Sequence, residues 1–91
     1  MKAVRLRITG RVQGVGYRLW AVRQADALGL RGWVRNRRDG SVEAVVIGDD
    51  GAVEQVIEGC RQGPLGAHVS DVAVSDAEDD GSERFTARET V

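Results

Sequence analysis

Two short segments hold the residues best suited to chemistry: Gly10-Arg11-Val12-Gln13-Gly14-Val15-Gly16-Tyr17-Arg18 and Gly32-Trp33-Val34-Arg35-Asn36. The first is a glycine-spaced loop that runs into an arginine where an amphipathic helix begins. Glycine lets the backbone bend until successive N–H groups converge. A helix N-terminus adds partial positive charge, and a guanidinium presents a fork of donors matched to phosphate or carboxylate. The second segment ends in an amide, which can donate to and accept from a single water. An arginine that holds an oxyanion and an asparagine that orients a water are enough for one kind of hydrolysis. Arg18 and Asn36 are therefore the candidate catalytic residues, and Gly14, Val15, Gly16, Tyr17 and Arg18 the candidate substrate-binding set.

Other phosphate and catalytic motifs fit less well. The loop lacks the Gly-Lys-Ser/Thr of a nucleotide phosphate loop, and Gly14-Val15-Gly16 is not followed by the third glycine of a dinucleotide fingerprint. Neither segment contains a serine, cysteine or histidine to act as nucleophile, and the single histidine, His68, falls at a strand start far from both. The acids Asp76, Glu78, Asp79 and Asp80 lack the ordered ligand spacing of a calcium loop and read as a solvated turn. The lone cysteine, Cys60, has no partner and no metal-ligand spacing, and reads as a small core residue on a helix. No metal or cofactor is expected. Taken singly, Arg18 also fits a surface cation after a tight turn, and Asn36 a strand-end turn residue.

The elements that must position the two segments follow from periodicity. Val4, Leu6 and Ile8 alternate with Arg5, Arg7 and Thr9, which predicts a strand over 4–9 with one apolar face. Ala21, Val22, Ala25 and Leu28 recur at helical spacing over 17–28, with Gly29 as the stop. Strands are predicted at 30–36 and 42–47, joined by a hairpin whose Asp39-Gly40 pair tolerates positive φ. Asp49 or Asp50 can cap a second helix to about Gln62, with Val53, Val56, Ile57 and Cys60 on its buried stripe and Gly63-Pro64 ending it. Further strands are expected at 68–74 and 83–90. The order β-α-β-β-α-β is that of a split βαβ unit of the α+β class: an antiparallel sheet with two helices on one face, to which the last strand adds an extra edge.

At 91 residues the chain is read as a single domain, 1–91, with one core. Its apolar runs are too short for a membrane span, and Lys2, Ala3 and Arg5 are not followed by the apolar stretch of a secretory signal, so a cytoplasmic location is the default. The net charge of −1 conceals an asymmetry. Residues 1–38 carry ten Lys or Arg against the single acid Asp26, whereas residues 39–91 carry three arginines against thirteen acids. Both candidate segments lie in the basic part, which favours an anionic small molecule. Nucleic acid is not the expected partner, because the chain has only four aromatic residues, Tyr17, Trp20, Trp33 and Phe85, and is not basic overall. Trp33 reads as packing, while Trp20 can flank the site or cover the sheet edge.

At these same residues the chain resembles the acylphosphatase family, in the two segments and in Asp39-Gly40-Ser41-Val42 of the hairpin. Tyr17 stands where that family usually has phenylalanine, so its hydroxyl needs a partner if buried. The resemblance implies a ferredoxin-like fold and a metal-independent hydrolysis of the carboxyl–phosphate bond of acyl phosphates. A phosphate cradle of backbone N–H groups from Gly14 to Arg18, a guanidinium at Arg18 and an attacking water oriented by Asn36 would carry it, in a monomer with a small-molecule substrate. The alternatives are a non-catalytic anion-binding or regulatory module on the same fold and an RNA-binding domain.

Overall fold

The computed structural model describes residues Met1–Val91. Its elements are β1 (Lys2–Arg11), α1 (Tyr17–Ala27), β2 (Arg31–Asn36), β3 (Val42–Gly48), α2 (Asp50–Gln62), β4 (His68–Asp76) and β5 (Phe85–Arg88). They form one sheet in the order β4-β1-β3-β2-β5. β3 lies between β1 and β2 and is antiparallel to both, so β1, α1 and β2 make a βαβ unit split by a strand. Two of the sheet's features differ from the sequence expectation. The last strand is only four residues long, and it runs parallel to β2, pairing Gly32 with Phe85 and Arg35 with Arg88, which makes the five-stranded sheet mixed.

Alternation sorts the side chains onto two faces. Val4, Leu6 and Ile8 of β1, Val34 of β2, Val42, Ala44 and Val46 of β3, and Val72 of β4 point into one core. The helices close that core with Tyr17, Ala21 and Ala25 of α1 and Val53, Val56, Ile57 and Cys60 of α2. Leu6, Ile8, Val34 and Val53 are fully buried, each contributing about 1.5–3 kcal/mol by leaving water. On the other face a small cluster of Trp33, Val45 and Ile47 is packed by Ala3 and Ala77. The acidic segment after β4, expected to be merely solvated, straps this second cluster. Asp80 accepts the Trp33 indole N–H at 3.2 Å, and Asp79 takes both Nη atoms of Arg31, at 3.1 and 2.6 Å. Asp79 is held down to about 2 by the Arg31 fork and the Gly81 N–H. Neither helix is long and apolar enough to cross a membrane.

Candidate functional site

The turn from β1 into α1 is shaped by two glycines. Gly14 and Gly16 have φ of 75° and 77°, a conformation that costs residues with a Cβ, although a Cβ there would meet nothing within 4 Å. The requirement is therefore conformational, not steric. Gly16 is the N-cap of α1 and has no side chain to accept from the first turn, and that turn contains no acid. The first helical bond runs from the Trp20 N–H to the Gly16 carbonyl at 3.0 Å, so the N–H groups ahead of it have no partner inside the helix. They carry the positive end of the helix dipole unopposed.

A concavity of about 580 Å³ opens at this turn. Gly14, Gly16, Tyr17 and Arg18 line it from the loop and helix, and Asn36 lines it from the end of β2. The two candidate catalytic residues thus come from different elements to one pocket. Val12, Leu19, Val22 and Ala87 give it an apolar side, with Leu19 about half exposed at 56%. Among the predicted substrate-binding residues only Val15 does not line it; its side chain packs against the main core.

Arg18 and Asn36 are both half-buried. Arg18 donates from Nη1 to the carbonyl of Arg88 in β5, at 3.2 Å. Asn36 is paired with Val42 of β3, and on its other side its carbonyl accepts the Val91 N–H at 3.2 Å while Arg38 N–H donates to the Val91 carbonyl at 2.8 Å. Ladders on both sides therefore fix the backbone that carries Asn36.

Gln13 is the positioning residue that sequence reasoning passed over. Its Nε2 donates to the carbonyls of Arg37 and Ser41, at 2.7 and 2.9 Å, and so ties the glycine loop to the hairpin next to Asn36. A glutamine directly ahead of Gly14 in the glycine-spaced loop was its only sequence signal. Thr86 and Ala87 of β5 also reach the pocket, which a pattern that left β5 as an outlying edge had no means to show.

The remaining singled-out residues fall outside the pocket, apart from Tyr17, which also supports it. Tyr17 is buried and its hydroxyl donates to the Cys60 carbonyl at 2.7 Å, joining the start of α1 to α2; burial raises its pKa well above the ordinary phenol value. Trp20 meets Tyr17 edge-on, with ring centroids 5.2 Å apart, and lies against Gly59 of α2, so it packs between the helices. Cys60 is buried, and burial pushes its thiol up to about 11, consistent with a core role. His68 is exposed at the start of β4, opposite Arg11.

Comparison with known proteins agrees with this geometry. The acylphosphatase family model matches residues 4–87. The chain belongs to the acylphosphatase family. It is 50% identical over 90 residues to an acylphosphatase of Rhodopseudomonas palustris (strain BisB5), an alignment that covers 92% of this chain and 91% of that one. An acylphosphatase of Mesorhizobium japonicum is 58% identical over 77 residues, covering 85% and 82% of the two chains. In structure the chain is similar to the acylphosphatase of Bacillus subtilis, with a TM-score of 0.93 and 36% identity over 97% of this chain and 99% of that one. For an acylphosphatase the arrangement is chemically economical: an open helix start, one guanidinium and one amide face a common pocket.

Proposed function

We propose that this pocket hydrolyses acyl phosphates, with Arg18 holding the phosphoryl group and Asn36 orienting the attacking water. The observation that carries the reading is the convergence of Arg18, Asn36 and the uncapped start of α1 on one concavity. Phosphate oxygens would accept from N–H groups between Gly14 and Arg18 and from the Arg18 fork. Each charge-assisted bond contributes about 1.5–3 kcal/mol net. Lysine would not replace Arg18, because a point charge lacks the planar fork.

Asn36 supplies a donor and an acceptor whose charge does not change during the reaction, which suits it to hold a water in line with the leaving group. Water attacks phosphorus as the phosphorus–oxygen bond to the acyl group breaks, and the bonding pair leaves with the carboxylate. Both water protons stay on the phosphate, so a dianionic acyl phosphate gives a carboxylate and dihydrogen phosphate. A carboxylate is a stable leaving group, and in a loose transition state positioning and charge stabilisation carry the catalysis. The scheme needs no general acid, no covalent intermediate and no metal.

The pocket is larger than a phosphate and is apolar on the side of Leu19, Val22 and Ala87. That side is the place for the acyl group, and it favours an uncharged acyl chain or ring over a charged one. The test is phosphate release from acetyl phosphate and benzoyl phosphate with EDTA present. Wild-type turnover should persist in EDTA and be faster per unit concentration for benzoyl phosphate. Asn36→Ala should lower kcat by about 10²-fold while inhibition by inorganic phosphate is little changed. A pure KM effect in Asn36→Ala would remove the water-orienting role. A folded wild type that binds phosphate but turns over neither acyl phosphate would leave an anion-binding module.

A further inference from the structure

The sheet face that the helices leave uncovered carries an excess of arginine. The register places Arg7 of β1, Glu43 of β3, Arg35 of β2 and Arg88 of β5 in one row across four strands, with Arg5 and Arg37 on either side. Glu43, buried at 7% exposure, is shared by three guanidiniums. Its Oε1 accepts from Arg35 Nε at 2.8 Å and from Arg37 Nη1 at 3.0 Å, and its Oε2 accepts from Arg5 Nη1. Arg7 donates to Asp39 at 2.6 Å.

We infer that Arg5, Arg7 and Arg37, set around Glu43, form a second anion site, separate from the catalytic cradle, for a phosphate-class oxyanion carrying two or more negative charges. These four residues alone line a concavity of about 290 Å³. Asp39 at its edge pairs with Arg7 and Arg35 adds a further cation on Glu43, so four guanidiniums meet two carboxylates and leave a surplus of two positive charges. Each guanidinium has five N–H donors, and each of the three uses one on a carboxylate, so donors outnumber acceptors. The side chains are 47%, 56% and 37% exposed for Arg5, Arg7 and Arg37, which leaves their heads within reach of a ligand. Planar forks on several sides of a hollow suit a tetrahedral oxyanion better than a flat or neutral ligand. A nucleic-acid base has nothing to stack on there. Trp33 is only 5% exposed and is covered by Arg35 and Arg88, each with Cζ 4.7 Å from the ring centroid.

The site is tested by a two-dimensional 1H–15N NMR titration with inorganic pyrophosphate, alongside sodium chloride of matched ionic strength. In Arg18→Ala, where the cradle has lost its guanidinium, the signals of Arg5, Arg7 and Arg37 should move and saturate with pyrophosphate but not with chloride. In Arg5→Gln/Arg7→Gln that response should weaken at least tenfold, while signals from Gly14 to Arg18 respond as in the wild type. Arg7→Gln alone leaves Glu43 all three of its arginines, and should weaken the response severalfold if the double variant is too unstable to use. Shifts that follow ionic strength alone, or that saturate at the same concentration in the variants, would overturn the assignment.

Discussion

The two helices of this small fold begin in opposite ways. α2 starts at Asp49, whose carboxylate accepts from the N–H groups of Gly51 and Ala52 at 3.1 and 3.3 Å, and Asp50 adds an acid to the first turn. α1 starts at a glycine with positive φ, has no side-chain cap and no acid in its first turn, and has an arginine as its second residue. The start of α2 is satisfied from within; that of α1 leaves its donors and its dipole without an internal acceptor. A capped start contributes stability. An open one gives up that contribution and leaves its amides free for the phosphoryl group proposed to bind there. Both choices occur in one chain of 91 residues, so the open start is a local feature of the site and does not reflect a chain that caps its helices poorly.

The largest expected effect lies on the open side. Arg18→Ala removes two prongs of charge-assisted contact, about 1.5–3 kcal/mol each, and should lower kcat/KM by roughly 10²- to 10⁴-fold. The fold should survive, because the only hydrogen bond lost is the exposed one to the Arg88 carbonyl. Steady-state kinetics and a thermal melt on the same preparation check both parts. A variant with unchanged kcat/KM would show that the backbone cradle alone holds the phosphate.

Giving α1 the acid that α2 has is the next test. Gly16→Asp places a carboxylate at the start of α1, where it would compete with the phosphoryl group for the same amides. Gly16→Asn brings the same backbone strain without the charge, and both residue types tolerate positive φ better than most. The aspartate variant should have a phosphate inhibition constant at least tenfold weaker than the asparagine variant, while the two melt within a few degrees of each other. Equal inhibition constants would mean that the charge at this helix start does not matter.

On the closed side the effect moves from activity to stability. Asp49→Ala leaves two N–H groups without a protein acceptor and should cost about 1 kcal/mol, or about 4–8 °C in melting temperature for a domain of this size. Since Asp49 does not line the pocket, kcat/KM should stay at the wild-type value. Thermal melts beside kinetics decide whether the two helix starts are as separable as their geometry implies.

How much of this was legible in the sequence depends on how local each feature is. Asp49 as a cap, Gly14-Val15-Gly16 as a turn, and the alternation of Val4, Leu6 and Ile8 are set by neighbours within a few residues, and each stands where the pattern put it. Arg18 and Asn36 were legible as a pair because each ends a segment with its own local signature. The direction of β5 was not. Parallel pairing of Phe85–Arg88 with β2 is decided by how the chain returns around the sheet edge, and four residues carry no periodicity that encodes it. Gln13 was missed for a related reason: its partners, the carbonyls of Arg37 and Ser41, lie across the hairpin and leave no mark on its own neighbourhood. The acidic run after β4 is the exposed loop that its composition predicts, but what it holds was not legible. Its contacts, Arg31 and Trp33, lie on a strand more than forty residues earlier.

That acidic run extends the comparison, because its aspartates use backbone N–H groups as Asp49 does. Asp79 accepts from the Gly81 N–H at 2.9 Å and Asp80 from the Ser82 N–H at 2.9 Å, each closing a turn that would otherwise expose its amides. The Arg31 fork and the Gly81 amide favour the charged form of Asp79 and hold it at about 2, below the ordinary aspartate value of about 3.9. A group depressed on folding stabilises the folded state above its unfolded pKa, and the benefit is lost as pH falls through the folded one. Asp79→Asn should therefore melt below the wild type by a constant margin from neutral pH down to about 5. The margin should shrink between about pH 4 and 2, where the wild-type carboxyl becomes neutral as well. Because Asp79 is open to solvent, salt should reduce the neutral-pH margin, and this is the smallest effect of the set. Melts at pH 7 and pH 2.5, in low and high salt, measure it. A margin independent of pH would assign the loop's hold on Arg31 to shape, which asparagine preserves, and would leave Asp49 at the start of α2 as the clearer case of an acid closing a turn.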